Sequence, residues 1–326
     1  MSLPPSGEIP QGAIRFNTDS QRLEFYAQGE WWVMSTDTPN LGRSVDSTPG
    51  ARGLFVGGRS SNTIEYINVS STGNAQDFGD TTESSREGGV AASSTRGLSA
   101  GSFPSVTNTI DFITIASTGD AANFGDLTQA RRSFCSCSSS TRGVFTGGIP
   151  SPTPTSDTID YVTIASTGNA VDFGDLVNTS ANGHGMAGSP TRGLVLGGTP
   201  SSTGAAQFIT IATTGSAQIF GDLSSSQGNR GSCSNATRAL HAYESSIEYV
   251  TIATTGNGTD FGSLSNSDSY KTCLSDQTRG VWSGGSPGKN IIEYVTISDG
   301  GSAVDFGDLN TNKFVHLGYS NAHGGL

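Results

Sequence analysis

The stretch Thr191-Arg192-Gly193-Leu194-Val195-Leu196-Gly197-Gly198 decides how the rest of the sequence is read. An Arg-Gly start, three branched apolar residues and a closing Gly pair describe a short buried strand ending in a tight turn. Related segments begin at Arg52, Arg96, Arg142, Arg238 and Arg279. Working outward, a second element follows the pattern Thr158-Ile159-Asp160-Tyr161-Val162-Thr163-Ile164. Its aromatic residue recurs as Tyr66, Phe112, Tyr161, Phe208, Tyr249 and Tyr294. A third, Val171-Asp172-Phe173-Gly174-Asp175-Leu176, has its Phe repeated at Phe78, Phe124, Phe173, Phe220, Phe261 and Phe306. The chain thus carries six copies of one unit of roughly 46 residues.

The intervals sharpen this reading. From the aromatic to the following Phe is 12 residues in all six copies, as a hairpin of fixed register requires. Its turn is Ser-Thr-Gly-Asn or a close variant, with Gly73, Gly119, Gly168, Gly215, Gly256 and Gly301 supplying the permissive backbone. From each Phe to the next repeat Arg is 18 residues, or 19 in one case. That span holds one more strand, in segments such as 88–93 and 184–189. Each unit therefore contains four strands: a, then b at Arg-Gly, c at the aromatic, and d at Asp-Phe-Gly-Asp.

Strand c is apolar on both faces (Ile159 and Tyr161, Val162 and Ile164), as expected when a sheet lies between two neighbours. The expectation is an all-β chain: a six-bladed β-propeller of four-stranded antiparallel blades, preceded by a small β-meander. An open β-solenoid is the alternative, although it normally has shorter repeats. Strand b ending in Gly57-Gly58, Gly147-Gly148, Gly197-Gly198 and Gly284-Gly285, followed by the two aromatics, resembles the kelch repeat. The resemblance covers about residues 43–326. It departs in having Phe for the usual Trp of strand d, and the Gly pair shrinks to Gly101 in unit 2 and is absent from unit 5 (Ala242, Tyr243). Residues 43–48 make a poor strand a, with only Val45 apolar. Residues 313–319 make a better one, so the C-terminal segment is expected to complete the first blade.

Before the repeats, residues 12–17, 22–26 and 31–34 read as three short strands. Gly12-Ala13-Ile14-Arg15-Phe16-Asn17-Thr18-Asp19, Leu23-Glu24-Phe25-Tyr26 and Trp31-Trp32 resemble a short module of phage tail-fibre and related virion proteins. A meander this small is marginal alone, which suits an attachment module using Ile14, Phe16, Phe25, Trp31 and Trp32. The alternative is a β cap on the propeller. Residues 35–49 read as a linker, and the domains as 1–40 and 41–326.

Composition narrows the functional classes. Gly contributes 45 residues, only 14% are charged, and the net charge is −11, which argues against a nucleic-acid partner. Residues 1–10 contain no apolar signal region, and no stretch approaches the length of a membrane span, so no membrane insertion is expected. Cys137 and Cys233 lie five residues before a repeat Arg and Cys273 six before, where Ala91 and Ala187 stand in other units. These residues and Cys135 read as free structural thiols. His184, His241, His316 and His323 share no metal-ligand spacing, and neither metal nor cofactor is expected. The recurring Asp-Phe-Gly is structural, because no phosphate loop accompanies it. The Asp that follows (Asp80, Asp126, Asp175, Asp222, Asp308) is expected to cap a turn or pair with a repeat Arg. No catalytic residues are assigned, because near-equivalent blades lack the asymmetry that catalysis needs. A propeller glycosidase is the remaining enzymatic alternative.

Length variation is concentrated between strands b and c: 14, 16, 19, 16, 11 and 15 residues from repeat Arg to aromatic. Because strands alternate in direction, these loops share one face with the d–a connections, a layout suited to binding. Arg59, Phe103, Pro104, Pro150, Pro152, Pro154 and Asp157 are the candidate binding residues there. The resemblances imply a non-enzymatic bacteriophage virion protein (tail fibre, baseplate or capsid decoration), made in the host cytoplasm. Its expected partners are other virion proteins through residues 1–34, further copies of itself as a homotrimer, and a host-surface glycan or protein. A glycan-binding lectin or adhesin is the second reading.

Overall fold

The computed structural model describes residues 9–17, 22–33, 51–59, 61–84, 87–180, 185–198, 204–224 and 231–326. The turn at 18–20, the linker at 35–49, the weak strand candidate at 43–48 and His184 lie outside them. Two compact units divide the chain, Met1–Ser47 and Thr48–Leu326. The boundary read from the sequence, 40/41, lies in the undescribed stretch.

In the first unit, strands Ile14–Asn17, Arg22–Ala27 and Glu30–Val33 form an antiparallel sheet in chain order. In the second, every repeat forms one four-stranded antiparallel sheet, and no helix occurs among the described residues. Unit 4 is representative: Gly185–Gly188, Arg192–Leu196, Ala205–Thr210 and Gln218–Asp222 are its strands a to d. The Gly pairs end strand b because both residues take positive φ, as at Gly197 (68°) and Gly198 (106°). Unit 5 lacks the pair and makes a tight hairpin instead, with Tyr243 opposite Ser246 and Glu244 at φ 49°. That is why its b–c interval is the shortest.

Sheet 1 takes its strand a from the far end of the sequence. Leu317–Ser320 pairs with Arg52–Val56, Leu317 opposite Val56 and Ser320 opposite Gly53. The expected clasp is therefore present but begins later than residue 313. Lys313 instead ends the outer strand of sheet 6, Val304–Lys313, because its ammonium is held by Glu65 at 3.0 Å.

Contacts between sheets explain the repeat motifs. The Gly73, Gly119, Gly168, Gly215, Gly256 and Gly301 N–H groups donate to the carbonyls of Phe306, Phe78, Phe124, Phe173, Phe220 and Phe261 at 2.7–3.0 Å. Each bond joins one sheet to the sheet before it, and the first joins sheet 1 to sheet 6. The Gly after each strand-d Phe sits at the approach point. A Cβ on Gly125 would lie 2.3 Å from the Gly168 carbonyl oxygen, and one on Gly307 2.5 Å from that of Gly73. A register shift beside this Gly bulges strand d in every sheet. The repeat Arg crosses the same junctions. Its guanidinium lies 4.3–4.8 Å over its own strand-c aromatic and donates to a backbone carbonyl of the next sheet, as Arg142 does to Ile211 at 3.0 Å. Arg279 repeats this from sheet 6 to Val69 of sheet 1 at 3.0 Å. Among the described residues the repeat Arg therefore pairs with carbonyls rather than with the Asp that follows the strand-d Gly.

The apolar core is divided in the same way. Six clusters each draw on two sheets consecutive in this order. The one joining sheets 6 and 1 sets Leu274, Val281 and Ile292 against Phe55 and Ile67. Strand d is an edge strand of every sheet, and its Asp77, Asp80, Asp172, Asp175, Asp305 and Asp308 are exposed. A charged edge strand resists pairing with another chain.

Candidate functional site

The variable b–c loops are more tightly held than their sequence suggests. Ile149–Pro150 pairs with Arg131–Arg132 of the preceding d–a connection, and Pro150 is buried. Pro150 therefore serves the scaffold, while Pro152, Pro154 and Asp157 remain exposed. Phe103 is half-buried beneath Arg132, whose guanidinium lies 4.8 Å over the ring, and Pro104 is exposed beside it. Exposed Arg59 donates its N–H to the Phe314 carbonyl at 3.3 Å and lies 5.5 Å over that ring. Phe314, Tyr243 and Tyr270 thus join Phe103 at this end of the sheets, where the sequence singled out only Phe103.

At the same end is a cavity of about 160 Å³, bordered by strand a or its approach from all six sheets. Its lining is small and mixed in polarity, including Gly89, Ser136, Gly185, Ser232, Thr272 and Gly318. Glu87, Ser133, Tyr270 and Val315, each two residues before a strand a, hold φ between 54° and 62°. Such values are uncommon without glycine and are outliers for bulky or β-branched residues. Backbone bonds link these residues: the Val315 N–H donates to Tyr270, Glu87 to Val315, and Ser133 to Glu87. Beyond the cavity, His323 accepts from or donates to Ser138 Oγ at 3.2 Å and contacts the Ala92 carbonyl at 2.9 Å. His316 borders the cavity, contacts Ser283 Oγ through Nε2 at 2.8 Å, and is pushed down to about 3 by burial and by Lys313.

Sequence reading missed a column of buried acids. The residue before each strand-c aromatic is Glu65, Asp111, Asp160, Gln207, Glu248 or Glu293, and all are buried. Strand c is buried on both faces as expected, with Ile159 in the cluster shared with sheet 4 and Val162 and Ile164 in the one shared with sheet 2, but the fully buried Asp160 stands among them. Each acid or amide accepts from the end of strand d, or from the connection that follows it, in the preceding sheet. Thr128 Oγ1 donates to Asp160 at 2.5 Å, Ser224 N–H to Glu248 at 3.0 Å, and Asn310 N–H to Glu65 at 2.8 Å. Among the described residues three also hold a buried cation: Arg131 on Asp160 at 3.0 Å, Lys271 on Glu293 at 2.8 Å, and Lys313 on Glu65 at 3.0 Å. Burial lowers the Arg131 pKa despite Asp160. Among the described residues no cation is paired with Asp111, and burial raises its pKa. The signal was an acid in five of the six copies of one column, inside a strand that periodicity marked as buried.

The thiols are free, with Cys137, Cys233 and Cys273 buried and Cys135 half-buried. Burial pushes Cys137 up to about 12. The register corrects one placement: Cys137 and Cys233 lie opposite Val144 and Leu240, but in sheet 6 that position is Leu274. Cys273 stands one residue earlier, with Ser136 and Ser232, and borders the cavity. Among the described residues, no three metal-capable side chains converge.

On the N-terminal sheet, Ile14, Phe25 and Trp32 lie opposite one another in a row, and with Phe16 they make an exposed apolar face (63%, 36%, 49% and 59%). Trp31 belongs to the other face, 5.3 Å from Tyr26 and beneath Arg15, which is itself paired with Glu24 at 2.7 Å. The proposed attachment residues therefore reduce to four on one surface. The chain matches no protein-family model, and no curated protein matches it.

Proposed function

We propose that this chain is a non-enzymatic structural component of a bacteriophage particle, in which the N-terminal sheet attaches a six-bladed kelch-like propeller for display. The apolar face of Ile14, Phe16, Phe25 and Trp32 carries the reading, because a contiguous exposed apolar patch on so small a sheet marks an association surface. The cyclic order of junction bonds, from sheet 1 through sheet 6 and back, supports the propeller. Those four half-exposed side chains offer about 1 kcal/mol each on burial, less than the roughly 4–15 kcal/mol lost on association. Attachment therefore draws also on the open edges of strands Ile14–Asn17 and Glu30–Val33, or on several copies binding together. The partners are other virion proteins, with the b–c face turned to the host surface.

The test is incorporation into particles. A chain of residues 41–326 should fold, remain monomeric and fail to co-purify with phage, whereas the full chain does co-purify. Equal incorporation of the two would reduce residues 1–34 to a cap.

A further inference from the structure

We propose that the cavity at the b–c end of the sheets is a saccharide site, which holds one pyranose ring at the collar formed by Glu87, Ser133, Tyr270 and Val315. The proposal rests on the six sheets closing around that cavity, and it assigns a ligand class to the displayed face.

Size limits the ligand first. At about 160 Å³ the space is smaller than the roughly 300–1,000 Å³ of sites for drug-sized molecules, so it accepts a single ring rather than a nucleotide or a peptide. At the deeper end, His323 bonds to Ala92 and Ser138, so the site is approached through the collar.

Charge limits it next. Glu87 Oε2 accepts from Arg132 at 3.0 Å and from Ser133 Oγ at 2.9 Å, and Lys271 is turned to Glu293. Among the described lining residues a phosphate or an ammonium would find no unpaired counter-charge. A hydroxyl both donates and accepts, so it can bond to the second oxygen of Glu87 and to the guanidinium together. Tyr270, 36% exposed, adds a ring whose face suits the apolar C–H face of a pyranose. It lies two steps along the collar from Glu87, through Val315.

Strain singles out these residues. Among the described residues, four that bear side chains keep a left-handed backbone at one repeat position, where glycine would sit without strain. Conformations of this kind cluster at ligand clamps because the fold is holding a side chain in a set direction. Neither Glu87 nor Tyr270 contributes to the apolar clusters between sheets, so packing does not account for them.

The full chain, free of any particle, would be titrated with the methyl pyranosides of glucose, galactose, mannose and N-acetylglucosamine, with saturation-transfer NMR as the readout. At least one should bind with a Kd on the order of millimolar, and its affinity should fall about tenfold or more in both Glu87→Gln and Tyr270→Gly. Glycine keeps the positive φ at 270, so that variant removes the ring without adding strain. Asp172→Asn, on the exposed outer strand, should bind as the parent does. If no sugar binds at concentrations on the order of 50 mM, or if either collar variant keeps the parent affinity, the site is refuted. Because no particle is involved, failure here leaves the attachment reading untouched, and failure of incorporation leaves the sugar site untouched.

Discussion

Ending the chain at residue 316 removes the strand that sheet 1 borrows from the far end of the sequence, and the consequence can be worked from the structure. Leu317 and Tyr319 are buried in the cluster between sheets 1 and 2, and burying each is worth roughly 1.5–3 kcal/mol. The bonds between Arg52 and Asn321, from Ser320 Oγ to the Ser275 carbonyl, and from His323 to Ala92 go as well, at about 0.5–1.5 kcal/mol each. The loss is on the order of 5–10 kcal/mol, against a total stability of about 5–15 kcal/mol for an ordinary domain. For a unit of about 280 residues, with an unfolding entropy near 2.1 cal/mol/K per residue, the melting temperature should fall by roughly 8–17 °C. Trp282, fully buried in the cluster between sheets 5 and 6, supplies a fluorescence readout far along the chain from sheet 1. Adding a peptide of residues 314–326 should recover part of the loss as its concentration rises. A truncated chain that melts within about 2 °C of the full chain would refute the reasoning, because sheet 1 would then be stable with strand Arg52–Val56 as an open edge.

Two further outcomes follow from buried groups. The folded chain holds His316 near 3 against an ordinary value of 6.5, so between those values only the unfolded chain takes up the proton. Stability is therefore complete above about pH 6.5 and declines as pH falls towards 3, and the contribution of this imidazole is on the order of 2 kcal/mol by pH 4.5. Denaturant unfolding should show His316→Gln losing less stability than the parent between pH 7 and 4.5, and parallel losses would contradict the assignment. Thiol titration of the native protein should show little reaction, and unfolding should release all four thiols; fewer than four would mean that a disulfide forms.

Periodicity and turn chemistry are local, and what they govern was legible in the sequence. Six units, four strands in each, the fixed c–d hairpin and the Gly-Gly exit from strand b follow from spacings within some 20 residues, where backbone φ and side-chain alternation act. The same local rules placed the three N-terminal strands to within a residue or two. Relations between residues of different units are set by packing, and those the tertiary structure decided. The Gly of Asp-Phe-Gly is explained only by the carbonyl of the next sheet's turn, close to where a Cβ would stand. Asp160 can be buried in an apolar strand because Arg131 and Thr128 of the preceding connection bond to it. Trp31 and Trp32 are adjacent and alike in sequence, yet a strand sends them to opposite faces, so only one joins the exposed surface. Cys273 moved one place because its pairing with Trp282 sets the register of strand a in sheet 6. The collar and its cavity left no signature in the sequence, since Glu87, Ser133, Tyr270 and Val315 share no chemistry and only a positive φ two residues before strand a.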